Sequence, residues 1–275
     1  MRRKVVSEGA IKNIFILSSF LLLSNTLFSQ IGISVSPPRL YYNLNPEETG
    51  TQKVLVSNIS KEHVMSLSIT FGDWKYDEFG NNVMLPPDSL DFSCASWMSV
   101  DEGTYFTLDP GENREIELRM TVPVSVEENN SPINTAMVYI TQMNAVDGVD
   151  ADGAAIKVNV RQGIKVYQND RNATNKLIEI VSLSFDNESE GLQLGFNNSG
   201  DIWTNGTVNT SLFNQTTGEE ILLEEMIFYT LPGDERKMFL PFERKLDKGE
   251  YIATIIIDYG DEIALEAAEL EFSHE

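Results

Sequence analysis

Residues 154–167, AAIKVNVRQGIKVY, alternate apolar Ile156, Val158 and Val160 with polar Lys157, Asn159 and Arg161. A period of two puts the apolar set on one side of a β-strand and the polar set on the other. Such a strand has two outlets for its apolar face. It can pack against a second sheet of its own chain, or, at a sheet edge, offer alternate side chains and free N–H and C=O groups to another polypeptide. The sequence leaves both open.

The same pattern recurs along the chain, and no stretch beyond the first 30 residues sustains a helical period for three turns. Residues 31–44 open the fold but are interrupted at Pro37 and Pro38, and proline inside a strand belongs at an edge or a bulge. Residues 51–58 turn Val54 and Val56 inward, 63–75 align Leu67, Ile69 and Phe71, and 113–122 align Ile116, Leu118 and Met120. Residues 134–143 are the next strand, expected to pair with 154–167 across a loop at 144–153. Residues 76–99, with Gly80, Asn81, Asn82, Pro86 and Pro87, are expected to be an irregular connection. Strands are further expected at 178–185, 191–197, 206–214, 220–225, 236–241, 249–259 and 264–272, punctuated by Gly200, Gly206, Gly218, Gly233 and Gly249. Alternating strands must bury one face against a second sheet, so the expected architecture is all-β: two immunoglobulin-like β-sandwich domains joined by a short linker. The domains are placed at 30–168 and 177–275, with the linker at 169–176.

Residues 1–29 read as a cleavable signal peptide. Arg2, Arg3, Lys4 and Lys12 form a basic start and residues 14–23 an apolar core, shorter than the about 20 residues a membrane span needs. Export to the periplasm without stable membrane insertion is expected. Four of the 20 basic residues and one of the 42 acidic ones fall in that leader, leaving 16 against 41, a net charge of −25. Such a surface repels nucleic acid and anionic lipid, so neither is expected as a partner.

Catalytic chemistry has little to work with. The two histidines, His63 and His274, are far apart, and no nucleophile-elbow, zinc-protease, Walker or Rossmann pattern is present. No enzyme activity, cofactor or metal is expected. Asp147, Asp150 and Asp152 lack the bidentate glutamate of an EF-hand loop and read as a solvated hairpin tip. Cys94, the single cysteine, reads as a small buried apolar group.

What stands out on this acidic chain is cationic. Arg39 and Lys165 each lie among apolar residues, one in the first strand of the first domain and the other in its last, beside the linker. Brought together in an interdomain cleft they suit a carboxylate. Otherwise each pairs with an acid of its own chain.

Four features occur in a fixed order over roughly residues 35–170. They are Arg39, the V-x-V-x-N strand at Val54 to Asn58, the turn Leu108-Asp109-Pro110-Gly111, and the stretch from Ile156 to Tyr167. In this the chain resembles the periplasmic pilus-assembly chaperones, the PapD-like two-domain proteins. The resemblance implies that the last strand of the first domain is lent to an incomplete subunit of a surface fibre. Ile156, Val158 and Val160 would be the donated side chains, and Arg39 and Lys165 the anchors of the client's C-terminal carboxylate. A free hydrophobic edge strand also invites self-association. The chain departs from the family at residues 132–143, PINTAMVYITQM, and at Asn169, which stands where the family carries a basic residue of an interdomain salt bridge. A structural or adaptor component of an outer-envelope secretion or adhesion machine is the alternative function for the same pair of sandwiches.

Overall fold

The computed structural model describes residues 32–124, 132–149, 154–260 and 263–275. The expected leader, Asp150 and Asp152 lie outside them. The chain is built from strands in two sandwiches, as the alternation requires.

The first sandwich contains β1 (Ile33–Ser36), β2 (Arg39–Asn43), β3 (Thr49–Asn58), β4 (Met65–Tyr76), β5 (Asn82–Leu85), β6 (Met98–Val100), β7 (Tyr105–Leu108), β8 (Asn113–Thr121), β9 (Ile133–Gln142) and β12 (Arg161–Asn169). One sheet runs β1-β3-β8-β6; the other runs β2-β12-β9-β4-β5, with β7 also on β4. The chain changes sheets at Pro37 and Pro38, between β1 and β2, which is where proline costs no ladder hydrogen bond. Val54, Val56, Ile116, Leu118 and Met120 from the first sheet meet Leu67, Ile69, Val138, Ile140, Ile164 and Val166 from the second in one buried core.

Three expectations are corrected here. Residues 154–167 are not one strand, and 144–153 is not simply a loop. β10 (Val146–Val149), drawn from the presumed loop, pairs with β11 (Ala155–Val158) as a separate two-stranded ribbon, with Val146 opposite Val158 and Gly148 opposite Ile156. Only from Arg161 does the chain join β9. Gln142 accounts for the break: its backbone N–H donates to Val160 O at 2.8 Å, its side-chain oxygen accepts from Val160 N at 3.3 Å, and its amide nitrogen donates to Asn144 O at 2.7 Å. One side chain thereby satisfies the backbone where the ladder is interrupted. Residues 76–99 likewise contain β5 and the start of β6, and Cys94 is fully buried, its thiol pushed up by that burial.

The second sandwich contains β13 (Ile178–Asp186), β14 (Gly191–Asn198), β15 (Thr204–Asn214), β16 (Glu220–Leu222), β17 (Met226–Thr230), β18 (Glu235–Pro241), β19 (Gly249–Asp258) and β20 (Glu266–His274). Its sheets run β13-β14-β18 and β16-β15-β19-β20, with β17 also on β15. Leu192, Leu194, Phe196 and Leu240 face Val208, Leu212, Ile255 and Ile257 across its core.

A third apolar cluster joins the two. Trp74, Tyr76, Ile133, Met137 and Tyr167 of the first sandwich pack with Leu231 of the second, with Trp203 and Tyr229 against them. That layer covers the outward face of the larger first sheet, so the central strand β9 is buried on both faces over most of its length.

Candidate carboxylate cleft and donor edge

Side chains at alternate positions of adjacent strands share one face of a sheet. β2 and β12 run parallel with Lys165 opposite Arg39, Tyr167 opposite Tyr41 and Asn169 opposite Asn43. Arg39 and Lys165 therefore stand on neighbouring strands, about 4.8 Å apart at the backbone, on the outward face, where the two sandwiches meet. β9 adds Met137 opposite Lys165 and Tyr139 opposite Gly163, and β4 adds Gly72 opposite Met137.

The second sandwich supplies the roof. The Arg39 guanidinium lies 5.2 Å from the Trp203 ring centre and 5.4 Å from that of Tyr229, two rings stacked 6.0 Å apart. Lys165 Nζ lies 4.0 Å from the Trp74 ring and 4.3 Å from Tyr76, and donates to Tyr76 Oη at 3.0 Å and Asn82 Oδ1 at 2.6 Å. Tyr41 stacks on Tyr167 at 5.1 Å, fixing the floor of the cleft.

Among the described residues, neither Arg39 nor Lys165 has a carboxylate within the 4.0 Å of an ion pair. The intrachain pairing that the sequence left open is not made among these residues. Burial first, and the neighbouring Arg39 charge second, push the Lys165 ammonium down to about 8. Two polar atoms in the same layer, Tyr167 Oη and Trp74 Nε1, are buried with no partner in hydrogen-bond geometry. Among the described residues, two cations thus stand side by side without a carboxylate partner, near the Tyr167 phenol, an arrangement whose chemistry suits an anion.

The sandwiches are tied together by short-range contacts. Asn169 Nδ2 donates to Asp201 O at 3.0 Å, a neutral hydrogen bond from the end of β12 to the second sandwich. The turn between β4 and β5 reaches β18: Lys237 N donates to Glu78 O at 2.7 Å, and Lys237 pairs with Glu78 at 2.5 Å. Arg236 lies 5.6 Å from the Tyr76 ring and donates to Tyr229 O at 2.8 Å. A Cβ at Gly80 would sit 1.9 Å from Arg236 Nη2, and Gly80 has φ +88°, so only glycine fits that contact.

The candidate donor segment lies upstream, in the β10–β11 ribbon and the residues that lead from it into β12. Ile156 is 38% exposed, so its side chain is not sealed in the core. Val158 is half-buried, and Val160 is half-buried against the first core. β11 pairs with β10 along one edge only, and its other edge meets no described strand. Asp147, the described member of the three-aspartate group, pairs with Lys157 at 2.9 Å.

Trp203 and Tyr229 were not singled out in the sequence. Nothing local marks them: each is one aromatic among 26 in the chain, and their proximity to Arg39 is set by domain packing.

No family model and no curated protein matches the chain. Among solved structures it is similar to the E. coli chaperone DraB, at 14% identity over 89% of this chain and 98% of that one, TM-score 0.45. It is similar to a chain of the Salmonella enterica SafA pilin in complex with the SafB chaperone, at 13% identity over 88% and 97%, TM-score 0.48. It is also similar to a chain of the CsuC–CsuE chaperone–tip adhesion subunit complex from archaic chaperone–usher pili of Acinetobacter baumannii, at 12% identity over 80% and 92%, TM-score 0.43. Each of these is a structure of a chaperone, alone or with a subunit.

Proposed function

We propose that this chain is a non-enzymatic periplasmic chaperone for subunits of a surface fibre. It captures an incomplete β-subunit by lending the β11–β12 edge and holds the subunit's C-terminal carboxylate between Arg39 and Lys165. The observation that carries the reading is the pair itself: two cations in register, on a chain of net −22, with no carboxylate within ion-pair distance among the described residues. Maintaining two like charges side by side is unfavourable, and a bound carboxylate relieves it while accepting donors from both. The exposed Ile156 and the open edge of β11 supply strand pairing and a side chain for the client's groove.

The test is capture. A fibre subunit lacking its final strand, co-expressed in the periplasm, is expected to co-purify with the wild-type chain and not with the Arg39→Ala/Lys165→Ala variant. Equal recovery with both would remove the carboxylate anchor. A chain that instead remained in fixed stoichiometry with an outer-membrane assembly would be the adaptor component of such a machine.

A further inference from the structure

Four residues before Lys165, and on the same face of β12, stands a third cation in a built setting. Arg161 lies with its guanidinium 3.6 Å from the centre of the Tyr139 ring. The ring occupies space above two strand-interior glycines. A Cβ at Gly72 would come within 2.9 Å of Tyr139 Cε2, and one at Gly163 within 3.7 Å of Cε1 and 3.0 Å of Met137 Sδ. Glycine inside a strand weakens it unless something must approach closely. Here what approaches is the ring, laid flat as a platform that takes one face of the guanidinium and leaves its N–H edge exposed. Among the described residues Arg161 has no carboxylate partner within 4.0 Å.

The edge beside it is open too. β2 joins β12 only from Lys165, so Arg161–Ile164 pair with β9 on one side and with no described strand on the other. A client whose C terminus ends at Lys165 and whose chain extends back along this edge runs parallel to β12. At about 3.3 Å per residue, Arg161 is about 13 Å from the anchor, four residues back along the client.

We infer that Arg161, held on Tyr139, is a second recognition point that selects clients with an acidic side chain about four residues before the C terminus. The inference rests on the capture reading above. It adds sequence selectivity to an anchor that any polypeptide end would satisfy.

The probes are synthetic strand peptides of alternating Val and Thr with a free C-terminal carboxylate, carrying Glu, Gln or Lys four residues before the end, and the same peptides amidated. They are titrated against the full mature protein by fluorescence anisotropy. The Glu peptide is expected to bind about tenfold or more tighter than the Lys peptide, the scale of one charge-assisted hydrogen bond. Arg161→Gln should abolish that preference and Arg161→Lys keep part of it, both with an unchanged melting temperature because the side chain is exposed. Equal binding of the Glu, Gln and Lys peptides, with free ends still preferred over amidated ones, overturns the Arg161 subsite and leaves the anchor standing. No preference for free ends, or no binding of any peptide, overturns the capture reading and the subsite with it.

Discussion

β11 and β20 are both edge strands with alternating side chains, and they handle their edges in opposite ways. β20 ends a sheet of the second sandwich, where Glu269 and Glu271 point to solvent, and Glu266 Oε1 accepts from Ile180 N of β13 at 3.2 Å, fastening the two edge strands together. β13 itself shifts register between Ile180 and Ser182. Charge and a bulge are the usual means of keeping an edge from pairing with another chain. β11 carries one charge, Lys157, held by Asp147 of its partner strand, shows no bulge in its described ladder, leaves Ile156 exposed, and stands upstream of two cations that have no ion-pair partner among the described residues. One edge strand is fastened to its neighbour, and the other keeps one side unpaired among the described strands.

The comparison breaks most directly at the cations. Arg39→Ala/Lys165→Ala is expected to weaken capture of a fibre subunit by about 2–5 kcal/mol, the range for truncating a buried charged partner, measured by titration calorimetry. The isolated protein should melt no lower, because the two like charges are removed together. Trp203→Ala comes next. Loss of a half-buried indole from the interdomain cluster should cost about 2 kcal/mol, less than the ~3–5 of a fully buried aromatic. Chemical denaturation reads that cost, and small-angle scattering reads the looser arrangement of the two sandwiches. Exchanging edge character sharpens the contrast: Ile156→Asp should reduce capture with melting unchanged within about 0.5 kcal/mol. Glu269→Ile should instead promote self-association through β20, seen by sedimentation.

The smallest effect is a pH dependence. Burial holds Lys165 at about 8 in the folded chain, below the ordinary 10.5. Between those values the unfolded chain binds more protons, so this group makes folding stability rise with pH through that window. Affinity for a free carboxylate moves the other way, falling as pH rises through about 8, because the ammonium is lost. Lys165→Met should flatten both curves, whereas amidating the client should flatten only the affinity curve.

The strands that alternate cleanly were legible in the sequence. Val54 and Val56 in β3, and Ile116, Leu118 and Met120 in β8, face the core where their periodicity puts them. β10 was not legible, because Val146-Asp147-Gly148-Val149 is half turn residues and becomes a strand only by pairing with β11. β17, Met226–Thr230, shows no two-residue alternation and is stabilised by β15. In the cleft, Arg39 and Lys165 could be singled out because a lone cation in an apolar run is conspicuous. Their aromatic surroundings could not, because Trp203 and Tyr229 reach Arg39 only through domain packing, and Tyr139 is shaped by glycines on two other strands.

Backbone hydrogen exchange with and without a strand-deficient fibre subunit tests the open edge most directly. The account predicts new protection from Ala155 through Ile164 on binding, unchanged exchange in β20, and loss of that protection when the subunit's C-terminal carboxylate is amidated. Protection appearing along β20 or β13 instead, with residues 155–164 exchanging as in the free protein, would contradict it.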